Sequence, residues 1–239
     1  MKDLYQNCES LDSFPTIYPG GKNGPGVFQF LINRIPVHDV YIEPFLGSGA
    51  VMRNKKFAAI SFGVELSVNT FNRWAGHSLP GLTVINDDAI SWMRSFDWSG
   101  NEFVYCDPPY LMSTRTSGEI YDHEMTDSQH MELLSLLLEM QAAGVKIMLS
   151  GYNSSLYSDY LCNWRYDEFD SMTRGGLRTE GLWMSYPVPE SLHDYSYLGD
   201  GFRERERISR KVKRNINRLK RLPSLERQAI LEAIYQEFG

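Results

Sequence analysis

The stretch Asp39-Val40-Tyr41-Ile42-Glu43-Pro44-Phe45-Leu46-Gly47-Ser48-Gly49-Ala50 decides the fold class. Its apolar start reads as a buried strand that ends in an acid. The glycines that follow let the backbone turn sharply and approach a ligand, and a helix continues through Val51, Met52 and Arg53. The same grammar recurs along the chain, with further short apolar strands at 59–65, 82–86, 102–107 and 145–150 and a late one at 181–186. Before them, Tyr18-Pro19-Gly20-Gly21-Lys22-Asn23-Gly24-Pro25-Gly26 is a loop by its turn chemistry, followed by a short helix over 27–35 that Pro36 closes. The clearest helix spans 127–143, with Leu133, Leu134, Leu137, Leu138 and Met140 on one face, Asp127 as its N-cap and Gly144 as its stop. Apolar strands alternating with helices predict an α/β fold, a mainly parallel sheet covered on both faces. Ligands of such sheets sit outside the carboxyl ends of the strands, so the loops after Glu43, Glu65, Asp87 and Asp107 are expected to line one site.

With 239 residues and 42% hydrophobic composition, the chain can bury a substantial core. The expected division is a main domain over 1–195 and a small helical extension over 196–239. No apolar run approaches the roughly 20 residues of a membrane span, and Met1-Lys2-Asp3-Leu4-Tyr5 lacks the apolar stretch of a signal peptide. Cys8, Cys106 and Cys162 are too scattered for a disulfide framework or a zinc site. His38, His77, His123, His130 and His193 show no metal-ligand spacing and are expected at the surface or in loops. These features predict a cytoplasmic protein with free thiols, no metal and no membrane partner. Trp164 and Trp183 are expected in the core.

Chemistry concentrates at Asp107-Pro108-Pro109-Tyr110, directly after the apolar Phe103-Val104-Tyr105-Cys106. Two prolines fix a rigid turn without backbone donors, and their carbonyls can face a pocket beside an acid and an aromatic ring. The amino group of a nucleobase needs such surroundings, because its lone pair is delocalised into the ring. Hydrogen bonds to Asp107 and to the Pro108 carbonyl favour a pyramidal nitrogen and stabilise the positive charge that develops on attack. Tyr110 would stack on the base. Gly47-Ser48-Gly49 alone is a weak nucleotide signal. Glu65, at the end of the next strand, adds an acid placed for ribose hydroxyls. Asp88 or Asp87 ends the third strand, where one could accept from an adenine amine and one could cap the helix beginning near Ala89.

Taken together, Tyr18-x-Gly-Gly-Lys22, Glu43-Pro-Phe-x-Gly-Ser-Gly49 and Asp107-Pro-Pro-Tyr110 resemble the adenine-specific DNA methyltransferases of the Dam-like type, especially compact phage and prophage members. Leu149-Ser150-Gly151-Tyr152 and Arg178-Thr179-Glu180-Gly181-Leu182-Trp183-Met184 extend the likeness, which covers roughly residues 15–190. The resemblance implies a Rossmann-like class I methyltransferase sheet with an antiparallel last strand. It implies S-adenosyl-L-methionine as cofactor, with S-adenosyl-L-homocysteine as product. The cofactor would lie near Tyr18, Gly21, Lys22, Glu43, Pro44, Phe45, Gly47, Ser48, Gly49, Glu65, Asp88 and Asp107. Lys22 would meet its carboxylate or organise Asp107. The catalytic residues would be Asp107, Pro108, Pro109 and Tyr110, acting on the 6-amino group of a flipped-out adenine in double-stranded DNA, in a setting such as restriction-modification.

The chain departs from larger relatives in that Asp107 lies only 58 positions after Gly49, too few for an inserted target-recognition domain. DNA readout would then fall to 111–126, to 163–181, to the C-terminal extension or to a second subunit in a homodimer, and a short or relaxed recognition site is expected. The last 37 residues carry 11 Lys and Arg against 5 Asp and Glu; with −6 for the whole chain, they stand at +6 and the remainder at −12. Arg203, Arg207, Arg210, Lys211 and Arg214 are the candidate phosphate contacts on a first helix that also carries Ile208, Val212, Ile216 and Leu219. A second helix follows Leu222-Pro223. A packed helical hairpin or a dimerisation element would give the same pattern. Rival readings are an RNA adenine methyltransferase, transfer to the 4-amino group of cytosine, a non-catalytic DNA-binding protein on this scaffold, and a nicotinamide oxidoreductase. The last has no use for Asp-Pro-Pro-Tyr.

Overall fold

The computed structural model describes residues 20–114, 123–173 and 176–238. Tyr18 and the centre of the 111–126 loop lie outside them. Two compact units are present, Met1–Asp194 and Tyr195–Gly239.

In the first unit, α1 (Val27–Ile32) leads into β1 (Val40–Glu43), and the glycine turn leads into α2 (Ala50–Asn54). Then come β2 (Ile60–Val64), α3 (Val68–Trp74), β3 (Leu82–Ile85), α4 (Ala89–Ser95), β4 (Glu102–Cys106), α5 (Asp127–Ala142), β5 (Lys146–Gly151), α6 (Ser155–Tyr160), β6 (Arg165–Thr173) and β7 (Gly176–Met184). The seven strands form one sheet in the order β3-β2-β1-β4-β5-β7-β6. The first five run parallel; β7 lies antiparallel between β5 and β6. This is the Rossmann-like class I methyltransferase fold.

The parallel strands are the apolar runs seen in the sequence because both faces are covered. All five residues of β4 are buried, and α5 lays Leu133, Leu134, Leu136, Leu137 and Met140 against the same core. Trp164 and Trp183 belong to that core. The cap of α5 is Thr126 rather than Asp127: Thr126 accepts from the Gln129 N–H while the Gln129 side chain accepts from the Thr126 N–H, a reciprocal pair that Asp127 cannot make. Gly144, at φ +96°, stops the helix.

Two expectations need correction. The late strand begins five residues earlier than 181 and pairs with β6, a strand absent from the sequence reading. The first half of β7 alternates between half-buried and exposed, and only its end, Glu180–Met184, is continuously buried. Edge strand β6, Arg165-Tyr166-Asp167-Glu168-Phe169-Asp170-Ser171-Met172-Thr173, has no apolar run at all. Its pairing is set by the partner strand, which sequence periodicity cannot see. Two histidines are also core rather than surface residues. His130 is fully buried and meets the Tyr157 hydroxyl at 2.9 Å. Buried His38 meets the Pro36 carbonyl at 2.8 Å and stacks on His193; burial lowers its pKa to about 3, so it is neutral.

The second unit contains α7 (Phe202–Lys220) and α8 (Ser224–Phe238), neither of which buries a residue. Among the described residues no helix is long and apolar enough to cross a membrane.

Candidate active site

The carboxyl ends of β1, β2 and β4 and the start of α4 open into one cleft. It is lined by Gly21, Lys22, Glu43, Pro44, Phe45, Gly47, Ser48, Gly49, Glu65, Asp88, Asp107 and Pro109, among others. Of the residues expected at a cofactor, all the described ones are therefore brought together. Pro108 and Tyr110 of the tetrad are buried behind the lining. Asp87 is not part of the lining, whereas Asp88 both faces the cleft and caps α4 by accepting from the Ser91 N–H at 2.8 Å.

On the β1–β2 side, main-chain groups hold Glu65. The two oxygens of buried Glu65 accept from the N–H groups of Gly47 (2.9 Å) and Ser67 (2.8 Å). The carboxylate lies at the wall of the cleft, at the end of the second strand, where an acid can meet ribose hydroxyls. The indole of Trp74 donates to the Gly47 carbonyl at 3.0 Å. Gly49 has φ +58°, and a Cβ there would stand 2.5 Å from the Trp74 ring; the turn requires a residue without a side chain. Arg53, buried on α2, ties the turn to the N-terminal loop: it donates to the Ser48 carbonyl (2.9 Å) and to Asn23 (2.8 Å), and Asn23 donates to the Ser48 hydroxyl (3.0 Å). Glu43 is buried and accepts from the Tyr41 hydroxyl at 2.7 Å. Burial raises its pKa to about 7 against the pull of that bond, and burial lowers neighbouring Lys55 to about 7.

On the β4–β5–β7 side, side chains hold the acids. Lys22, which the sequence presents as an exposed turn lysine, is 4% exposed. It donates to Asp107 Oδ2 at 2.8 Å and to the Gly20 carbonyl at 2.9 Å, and lies 3.4 Å from Glu180 Oε2. This sets the Lys22 ammonium against the Asp107 carboxylate at the wall of the cleft. The Ser150 hydroxyl donates to Asp107 Oδ1 at 2.7 Å and meets the Tyr105 hydroxyl at 3.0 Å. The Tyr110 hydroxyl stands 2.5 Å from Glu180 Oε2 and 3.1 Å from Asp107 Oδ1. Ser171 donates to the other oxygen of Glu180. Burial pushes the Asp107 carboxyl above the usual carboxylate range; Lys22 opposes this and Glu180 adds to it. Burial, with the charges of Asp107 and Glu180, pushes the Tyr110 hydroxyl well up, so it stays protonated. The Tyr110 ring is 6% exposed and meets Tyr152 edge-on at 4.8 Å.

Sequence reasoning does not single out Glu180 or Arg53. Glu180 lies within a segment that carries the family likeness, but nothing local marks it as buried. It sits beside Gly181, which pairs with Gly151 at the end of β5. Because β7 is antiparallel, its early residues arrive at the edge where the parallel strands finish.

Residues 94–175, which is 82 of 239, match the sequence profile of the D12 class N6 adenine-specific DNA methyltransferases. The match includes Asp107–Tyr110 and Ser150. No curated protein matches the chain. Among solved structures, the chain is similar to precorrin 8w decarboxylase of Methanobacterium thermoautotrophicum, with 10% identity, 74% of this chain and 98% of that one covered, and TM-score 0.47. It is similar to an rRNA methylase of Streptococcus thermophilus, with 8% identity, 66% and 92% covered, and TM-score 0.44. A third is the magnesium protoporphyrin IX methyltransferase of Synechocystis PCC 6803 with bound SAM, with 12% identity, 66% and 74% covered, and TM-score 0.40.

Proposed function

We propose that this chain transfers a methyl group from S-adenosyl-L-methionine to the 6-amino group of adenine in double-stranded DNA. The observation that carries the reading is that Asp107 opens into the same cleft as the glycine turn and Glu65. The profile match over the Asp107 segment supports it and favours adenine in DNA over other amines.

The cofactor supplies an electrophilic methyl group. Glu65 would receive its ribose hydroxyls, Asp88 would accept from an amine of its adenine, and the main chain of Gly47 and Gly49 would allow close approach. Asp107, kept in place by Lys22 and Ser150, accepts a hydrogen bond from the target amine and stabilises positive charge as the new bond forms. Reaction then depends on positioning rather than on a strong base. The sulfonium–methyl bond breaks as the nitrogen–methyl bond forms, which leaves S-adenosyl-L-homocysteine, and the methylated nitrogen, acidic after transfer, gives its proton to Asp107 or to water.

DNA is proposed to meet α7. Arg203, Arg207, Arg210, Lys211 and Arg214 are exposed and fall at helical spacings that put them on one face, with Ile208, Val212, Ile216 and Leu219 opposite. Arg207 pairs with Glu204 at 3.1 Å and Arg210 approaches Glu206 at 3.9 Å, exposed pairs that phosphate can displace at little cost.

The test is incubation with methyl-labelled S-adenosyl-L-methionine and either unmethylated DNA or total RNA, followed by digestion and mass spectrometry of the nucleosides. Label in 6-methyl-deoxyadenosine is expected. Label confined to ribonucleosides or to 4-methyl-deoxycytidine would replace the substrate, and bound cofactor without any transfer would contradict the reading.

A further inference from the structure

We propose that Glu180 is a positioning residue of the transfer site, which holds the Tyr110 hydroxyl away from Asp107 so that Asp107 keeps an acceptor site for the incoming amine. This rests on the methyl-transfer reading above.

A phenol has a single O–H to donate, and Tyr110 has two carboxylates within reach. Glu180 Oε2 at 2.5 Å is much the closer; Asp107 Oδ1 is at 3.1 Å. The proton therefore goes to Glu180. Asp107 Oδ1 already accepts from Ser150 and Oδ2 from Lys22. If Tyr110 also donated to Oδ1, that oxygen would have both its acceptor sites filled.

Glu180 is itself fixed for this task. It is 4% exposed, Ser171 of β6 holds Oε1, and Lys22 stands 3.4 Å from Oε2. A carboxylate is needed here because it accepts more strongly than an amide. With a glutamine in its place, the hydroxyl would turn to the charged oxygen of Asp107 and compete with substrate.

Removing the competing hydroxyl should then repair the damage. Single-turnover transfer and cofactor affinity would be measured for Glu180→Gln, Tyr110→Phe and the double variant. Glu180→Gln is expected to slow transfer on the order of 10- to 100-fold with cofactor affinity essentially unchanged. Tyr110→Phe in the Glu180→Gln background is expected to restore several-fold of that rate, because no hydroxyl is left to occupy Asp107. If Glu180→Gln does not fold, Glu180→Asp, which keeps the charge but falls short of Tyr110, is expected to show the same loss and rescue. A double variant as slow as Glu180→Gln or slower, a rate loss matched by lost cofactor affinity, or an unchanged rate would each overturn the proposal. Wild-type enzyme is the control that separates the two ideas: no adenine product from it removes the transfer reading, whereas product without rescue removes only the role of Glu180.

Discussion

At the carboxyl edge, Glu65 on one side and Asp107 with Glu180 on the other are held by different means. Glu65, beside β1 and β2, is gripped by the main-chain N–H groups of Gly47 and Ser67. Asp107 and Glu180, beside β4, β5 and β7, are held by Lys22, Ser150, Tyr110 and Ser171, side chains from four separate parts of the chain. A backbone amide carries no charge and is present whatever side chain it bears. The first arrangement is therefore vulnerable to changes in backbone shape. The second is vulnerable to the loss of single functional groups, and its charges are coupled through burial.

The strongest challenge to this contrast is Asp107→Ala. Transfer is expected to fall by on the order of 10³-fold in single-turnover measurements, with S-adenosyl-L-methionine affinity within a few-fold of wild type. The variant also leaves buried Lys22 with Glu180 as its nearest carboxylate, so a lower melting midpoint accompanies the loss of rate. Equal losses of rate and affinity would move Asp107 to the cofactor's side of the division.

A backbone lesion on the other side should do the reverse. Gly49→Ala forces a Cβ against Trp74 at φ +58°, with strain of roughly 1–3 kcal/mol. Cofactor affinity measured by calorimetry is expected to fall by about 10-fold or more, while the rate at saturating cofactor stays within a few-fold. Wild-type affinity in this variant would mean that the turn is not shaped for the ligand.

The smallest effect on chemistry is expected from α7. Changing Arg203, Arg207, Arg210, Lys211 and Arg214 to Gln should leave the rate at saturating DNA unchanged. The slope of log affinity against log salt should flatten by as much as about 0.9 for each phosphate that is no longer neutralised. An unaltered slope would leave α7 without a phosphate role.

The same contrast explains what is legible in the sequence. The β1 turn, Glu65 and the Asp107 tetrad are each encoded within a few consecutive residues, so a strand, a turn and an acid can be read together. Local signals also place the five parallel strands and α5. Glu180 is not legible as a site residue because its burial depends on β6, a strand without an apolar run, and on Lys22, which lies 158 positions earlier. Lys22 looks like an exposed turn lysine for the same reason: its partners Asp107 and Glu180 meet it only once the sheet is assembled. Arg53 is visible as a helical residue, but its grip on Ser48 and Asn23 depends on two loops meeting. His38 and His130 read as surface residues because a lone histidine gives no sign of the aromatic and hydroxyl neighbours that receive it.

The central claim is that this edge is divided between a held cofactor and a reacting amine. Its most direct test is a crossed measurement: cofactor dissociation constant and single-turnover rate on DNA for Glu65→Gln and Asp107→Ala, side by side. In Glu65→Gln an amide N–H₂ must face one of two backbone donors, at a cost of about 1–3 kcal/mol. Glu65→Gln is predicted to weaken cofactor binding yet transfer at near wild-type rate when saturated, and Asp107→Ala to bind cofactor normally yet not transfer. Loss of both properties in both variants would contradict the division.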